Sequence, residues 1–260
     1  MSPVPALVLS APGTNRDGES AFALELAGAA PQIVPITALA DDPGLLDRFR
    51  MMVIAGGFSY ADALGSGRVF ALELDAVLGD RLPAFVDAGR PVLGICNGFQ
   101  VLVRTGLLPG LVGGGRGLAQ LAPNAHGRFE CRWVTMAPVA SRSVWTEGLP
   151  EPILTPIAHG EGRFVCDEAT HAALVGEGRV ALRYALPDGT RAEGRFPHNP
   201  NGSTDDIAGI CDHTGLVLGL MPHPEDHVVA RQHPGRARGE QHGSGLPLFR
   251  NGVRRAMEAS

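Results

Sequence analysis

The segment Pro91-Val-Leu-Gly-Ile-Cys96-Asn-Gly-Phe-Gln100 constrains this chain more than any other. An apolar strand runs directly into a G-x-C-x-G turn, and a helix follows. The residues before Cys96 show no polar alternation, the pattern of a strand covered on both faces. Such strands belong to parallel sheets flanked by helices. Gly94 and Gly98 permit a tight turn that lifts the cysteine out at the C-terminal edge of the sheet, as serine is lifted in a nucleophile elbow. The thiol then sits at a helix N-terminus, whose partial positive charge favours thiolate over thiol. A buried cysteine at an ordinary strand–helix junction is the other reading of these residues.

The rest of the first third alternates in the same way. Pro5–Ser10, Gln32–Ile36 and Arg50–Ala55 read as strands, with helices near Glu19–Ala29, across Phe70–Ala88 and over Asn97–Arg104. Farther on, Gly127–Met136, Ile153–Ala158, Arg179–Tyr184, Ile207–Asp212 and Gly215–Met221 read as strands with few helices between them. His213-Thr214-Gly215 reads as a hairpin turn joining the last two. Leu186–Thr204 is a Pro-, Gly- and Asn-rich loop. The polar stretch Arg231–Gly245 has no evident job, and a helix near Pro247–Ala259 closes the chain. At 260 residues the chain suits one α/β domain and is thin for two. The expectation is a single domain over 1–260 with a mixed, mostly parallel sheet flanked by helices.

Composition removes several functions. A net charge of −5 and a pI near 6.0 give no sign of a nucleic-acid partner. No apolar run approaches the roughly 18 residues that span a bilayer. The N-terminal apolar stretch Ala6–Leu9 is too short for a signal peptide and lacks a basic region, so a cytoplasmic location is expected. All 22 basic residues are arginine. Without lysine there is no Schiff-base chemistry and no G-x-x-x-x-G-K-[ST] phosphate loop. Cys131, Cys166 and Cys211 lie in strand-like stretches with no C-x-x-C pair, and are expected to be buried small apolar residues.

A catalytic cysteine needs a base, and the base needs an acceptor to fix its tautomer. Gly219-Leu-Met-Pro-His223-Pro-Glu225 offers both at the end of an apolar strand. The two prolines resist helix and are expected to hold the backbone extended. An exposed histidine in a stiff turn is the alternative. Metal binding through His223, Glu225 and His227 is another, but Pro224 opposes the helix that such a pair requires; no metal site is expected. The loop Gly56-Gly57-Phe58-Ser-Tyr-Ala-Asp62 also follows a strand. Its glycines let backbone N–H groups enter a site, so Gly57 and Phe58 are candidates beside the N–H of Asn97 for an oxyanion hole.

These three elements, in this order, resemble class I glutamine amidotransferases, which share a G-x-C-x-G-x-Q elbow and a later H-x-E. More narrowly, the chain is similar to the glutaminase subunits of phosphoribosylformylglycinamidine synthases of purine biosynthesis. The matching stretches are A-P-G-T-N-R-D at 11–17, G-G-F-S-Y-A-D at 56–62, G-I-C-N-G-F-Q at 94–100, P-I-A-H-G-E-G-R at 156–163, N-P-N-G-S at 199–203, I-A-G-I-C at 207–211 and G-L-M-P-H-P-E at 219–225.

The resemblance implies a flavodoxin-like amidotransferase fold. It implies Cys96 as nucleophile, His223 as base and then acid, and Glu225 as orienter, with Gln100 and the loop around His159 holding the α-amino and carboxylate groups of glutamine. It also implies that this chain carries no cofactor. ATP and Mg would sit on a partner synthetase subunit (PurL-like), joined through a small bridging subunit (PurS-like). Ala55 stands where the family pattern has Pro, Ala61 where it has Gly, and Asp226 where it has Arg. A class I glutaminase serving another synthetase, or a stand-alone cysteine hydrolase on the same fold, are the alternative functions.

Overall fold

The computed structural model describes residues 2–110, 115–149, 151–235 and 243–259, so part of the polar stretch Arg231–Gly245 lies outside the described residues. The strands are β1 (Val4–Ser10), β2 (Ala29–Pro35), β3 (Met51–Ile54), β4 (Val92–Ile95), β5 (Ala119–Pro123), β6 (Glu130–Pro138), β7 (Ile153–His159), β8 (Glu161–Cys166), β9 (Val180–Ala185), β10 (Ile207–Cys211) and β11 (Val217–Leu220). The helices are α1 (Asp17–Leu26), α2 (Ile36–Asp41), α3 (Arg68–Leu78), α4 (Arg81–Asp87), α5 (Asn97–Thr105), α6 (Glu168–Gly176) and α7 (Leu246–Glu258).

Nine strands form one mixed sheet in the order β2-β1-β3-β4-β11-β10-β9-β6-β7. The first five run parallel, and the rest pair antiparallel. All residues of β3, β4 and β11 are buried, as their unbroken apolar runs require. Helices α1 and α7 contact each other and β1, whereas α3 packs on α5, which lies over β3, β4 and β11. Seven consecutive residues of α5, Asn97–Val103, are buried, so this helix is enclosed by the rest of the fold, its polar side included.

The α/β class and the mixed sheet match the sequence reading, but several elements differ from it. The single helix expected over 70–88 is two, α3 and α4, because Gly79 adopts a positive φ of 44° and ends the first. Short helix α2 begins where a strand was expected to finish. The middle of the chain contains helix α6 and a separate two-stranded sheet of β5 and β8, none of them evident from periodicity. Cys211 is buried, but Cys131 is exposed and Cys166 half-buried. Cys131 lies near the start of β6, next to buried Glu130, whereas the buried run of that strand is Val134–Met136.

Phe99 on α5 joins the two sheets. Its ring stacks on Phe164 of β8 at 6.4 Å and lies against Gly219 of β11, where an added Cβ would be 2.1 Å from the ring. Replacing Phe99 with Ala leaves a cavity at that junction. The expected cost is about 3–5 kcal/mol, read as a lower urea midpoint for Phe99→Ala. A change under about 1 kcal/mol would show that the junction collapses freely and is not the anchor described.

Candidate active site

Parallel register assembles the site. Ile95 pairs with Leu220 and Gly94 with Ile54, so the loops after β3, β4 and β11 emerge side by side at one sheet edge. Cys96 follows β4 directly, His223 comes three residues after β11, and Gly56 two residues after β3. Residues more than 160 positions apart in sequence therefore meet.

Cys96 has φ 51° and ψ −104°, the strained geometry of an elbow, and caps α5. The turn closes only because Gly98 lies on β3: an added Cβ there would be 2.0 Å from the Ile54 carbonyl oxygen. Sγ is buried and lies 3.9 Å from the Ala158 carbonyl oxygen. The His223 imidazole interacts electrostatically with the Cys96 side chain, and its Nδ1 is 2.7 Å from Glu225 Oε1. His223 and Glu225 are both buried. Burial opposes charge on His223, yet the Glu225 carboxylate and the Cys96 sulfur together hold its pKa well above the ordinary histidine range. The site thus favours an imidazolium beside the Glu225 carboxylate.

The segment after His223 is not extended. Pro224 opens a 3₁₀ turn over Pro224–His227, a position proline favours because it needs no N–H there. That turn swings Glu225 back to the imidazole two residues earlier. His227 takes no part in the cluster: its Nδ1 is 2.6 Å from the Leu154 carbonyl oxygen. Asp226 lies there instead, and the donor atoms of His223, Glu225 and Asp226 fall within 4.8 Å of one another. Arg16 approaches Asp226 at 3.7 Å. Arg16 lies in the A-P-G-T-N-R-D motif, but only the fold shows what it faces.

The glycine loop passes over the His223 imidazole, since a Cβ on Gly56 would be 2.8 Å from Cε1. Gly57 forms a bridge with Thr14 and has φ 144°. The Phe58 N–H donates to the Gly13 carbonyl oxygen at 3.0 Å, so it is not an oxyanion donor in this conformation, and the Phe58 ring is exposed against Phe129. The Asn97 N–H belongs to the first turn of α5, which has no acceptor within the helix.

Gln100 likewise differs from the expectation of a free substrate contact. Its Nε2 donates to the Glu161 carbonyl oxygen at 2.5 Å, and its Oε1 accepts from Asn97 Nδ2 at 2.9 Å. Asn97 Oδ1 accepts from the Ser59 hydroxyl at 2.5 Å. This chain ties the glycine loop, the elbow helix and the β7–β8 turn together. His159 is buried at the end of β7 with Nδ1 3.0 Å from Asn124 Oδ1. Asn124 sits on a separate loop, 35 residues away, and no local sequence signal marks it.

A family model, the CobB/CobQ-like glutamine amidotransferase domain, matches residues 4–254. Phosphoribosylformylglycinamidine synthase subunit PurQ of Treponema denticola is 49% identical over 95% of this chain and 97% of its own length. The subunit of the same name from Dehalococcoides mccartyi is 41% identical over 99% and 100%. Among solved structures, a chain of PurLQS from Thermotoga maritima superposes with a TM-score of 0.74 at 31% identity, covering 98% of this chain and 99% of that one.

Burial first, and then the Glu225 carboxylate, push the Asp226 pKa up to about 6, against the pull of His223 and Arg16. Asp226 therefore binds its proton more tightly folded than unfolded. Its contribution to stability is greatest at low pH and is lost as pH rises from about 4 through 6. Asp226→Asn escapes that loss. Discounted for partial exposure, the variant is expected to exceed the parent by about 1–2 kcal/mol above pH 6.5, and to match it near pH 4. Urea denaturation at both pH values checks this; a difference that does not grow with pH would refute it.

Proposed function

Because the chain belongs to the CobB/CobQ-like glutamine amidotransferase family, we propose that Cys96, His223 and Glu225 carry its glutaminase reaction. The chain is the glutaminase subunit of a phosphoribosylformylglycinamidine synthase. It hydrolyses glutamine to glutamate and ammonia for the ATP-dependent conversion of formylglycinamide ribonucleotide to formylglycinamidine ribonucleotide. The observation behind the residue assignment is the buried His223–Glu225 pair, 2.7 Å from Nδ1 to Oε1, beside the buried Cys96 at the elbow.

In the first half-reaction the Cys96 thiolate attacks the carboxamide carbon of glutamine. A C–S bond forms, and the carbonyl electron pair moves to oxygen. The Asn97 N–H holds that oxyanion, joined by the Gly57 N–H. The His223 imidazolium gives its Nε2 proton to the nitrogen, the C–N bond breaks, and ammonia leaves. In the second half-reaction neutral His223 takes a proton from water, and the hydroxide attacks the thioester. Collapse releases glutamate and restores the thiolate–imidazolium pair. Glu225 holds Nδ1–H, so Nε2 always faces the reacting atoms.

The whole chain acts as one amidotransferase domain in the cytoplasm. ATP and Mg are handled by a synthetase subunit of the PurL kind, with a PurS-like subunit bridging the two. The Thermotoga maritima structure is of PurLQS, which supports this assembly. The conformation of the glycine loop favours dependence on that partner: the Phe58 amide is tied to Gly13, and Tyr60, Ala61 and Asp62 all have positive φ. A docked synthetase would fix the Gly57 N–H on the oxyanion.

Cys96→Ala is expected to abolish glutamine-dependent synthesis in the assembled complex and to leave ammonia-dependent synthesis intact. His223→Ala should lose several orders of magnitude, and Glu225→Gln less, because the orienter does not itself accept the proton. An electrophilic glutamine analogue should label Cys96 and spare Cys131, Cys166 and Cys211; labelling elsewhere would overturn the triad.

Glutamate release by the isolated chain should rise about a hundredfold on adding the synthetase, ATP and acceptor nucleotide, the worth of one restored oxyanion donor. Full activity without any partner would favour the stand-alone hydrolase.

A further inference from the structure

His159 is more tightly defined than its position in a loop motif suggests. Asn124 Nδ2 donates to the Arg128 carbonyl oxygen and to the His159 carbonyl oxygen, each at 2.8 Å. The Asn124 amide is thereby oriented with Oδ1 toward the imidazole, 3.0 Å from Nδ1. An amide oxygen only accepts, so Nδ1 carries the hydrogen and Nε2 is a bare lone pair. That Nε2 is buried and has no hydrogen-bond partner among the described residues. Burial, followed by the charge on nearby His223, pushes the ring's pKa down to about 3. The ring therefore stays neutral and remains an acceptor through the physiological range.

Position narrows the choice of donor. The residue before it, Ala158, places its carbonyl oxygen 3.9 Å from Cys96 Sγ, so this end of β7 borders the thiol. The ring cannot drift, because Gly162 packs on it so closely that a Cβ would lie 2.4 Å from Cε1. A lone-pair acceptor repels a carboxylate and meets a donor. Glutamine carries two donors, the α-ammonium and the carboxamide NH₂, and the carboxamide is the one that comes to Cys96. We infer that His159 is a specificity-determining residue whose Nε2 accepts a hydrogen bond from the reacting carboxamide N–H. This rests on the glutaminase reading given above. The contact orients the amide for attack and vanishes when the amide becomes a carboxylate, so it favours substrate over product.

The test compares glutamine with the γ-methyl ester of glutamate in the assembled enzyme. Both give the same acyl group to Cys96, but the ester has no N–H to donate. His159→Leu is expected to lower kcat/KM for glutamine about 10- to 100-fold, the scale of a buried hydrogen bond left unmade. Ester hydrolysis should change less than about threefold. His159→Met, of similar volume and without a strong acceptor, should show the same selective loss if the Leu variant folds poorly. His159→Gln, which restores an acceptor, should recover part of the amide rate. Equal losses on amide and ester would overturn the inference and make the ring structural. Failure of the parent enzyme to hydrolyse either substrate would instead overturn the glutaminase reading itself.

Discussion

The contact between Gly98 and the Ile54 carbonyl oxygen sets the rest of the molecule. An added Cβ at Gly98 would sit 2.0 Å from that oxygen, and one at Gly94 would sit 2.7 Å from Gly98 backbone. The elbow helix can thus lie directly on the strands beneath it. Only at that distance can Cys96 turn through φ 51° and leave its thiol at the sheet edge. Phe99, one residue on, then fills the space beside Gly219 and Phe164, and the second sheet docks through it. A larger residue at Gly98 would push back the helix and, with it, both Cys96 and the β7–β8 turn that Gln100 holds.

Burying a histidine–carboxylate pair is costly unless its charges are matched. Glu225 has no exposure, and its Oε2 has no hydrogen-bond partner among the described residues. The cost is offset by the imidazolium at 2.7 Å and, farther out, by Arg16 facing Asp226. Arg16 stands in the loop after β1, whose strand neighbours β3 on the far side from β4. Asp226 occupies the position where the resemblance led to an expectation of arginine. Arg16, from across the sheet edge, approaches it at 3.7 Å.

The glycine loop stores strain beside this rigid cluster. Tyr60, Ala61 and Asp62 have φ of 53°, 52° and 54°, values that L-residues adopt at a cost of about 1–2 kcal/mol each. Ala61 is the residue for which glycine was expected, and its φ gives the physical reason for that expectation. The Tyr60 hydroxyl donates to Glu73, and burial together with that carboxylate raises the phenol to about 12. Ser59 is tied to Asn97, and the Tyr60 N–H donates to Pro12 at 2.6 Å. Both contacts fasten the residues that lead into the strained turn.

The alternating apolar runs were sufficient to name the α/β class, because a buried parallel strand has no polar alternation. The G-I-C-N-G-F-Q elbow and the P-H-P-E segment marked Cys96, His223 and Glu225 as candidates, but the 3₁₀ turn that brings Glu225 back to the imidazole was not foreseen. The β5–β8 sheet was not legible, because its register is set by packing on α5 rather than by any periodicity of its own. Nor was the commitment of the Phe58 amide and the Gln100 side chain, since their partners, Gly13 and Glu161, lie on other loops. The tautomer of His159 needed Asn124, and the charge balance around Glu225 needed Arg16. Sequence by itself determined which groups could react. Tertiary structure decided which polar atoms are already bonded and which remain open to substrate, because hydrogen-bond partners far apart in the chain are chosen by the alignment of strands.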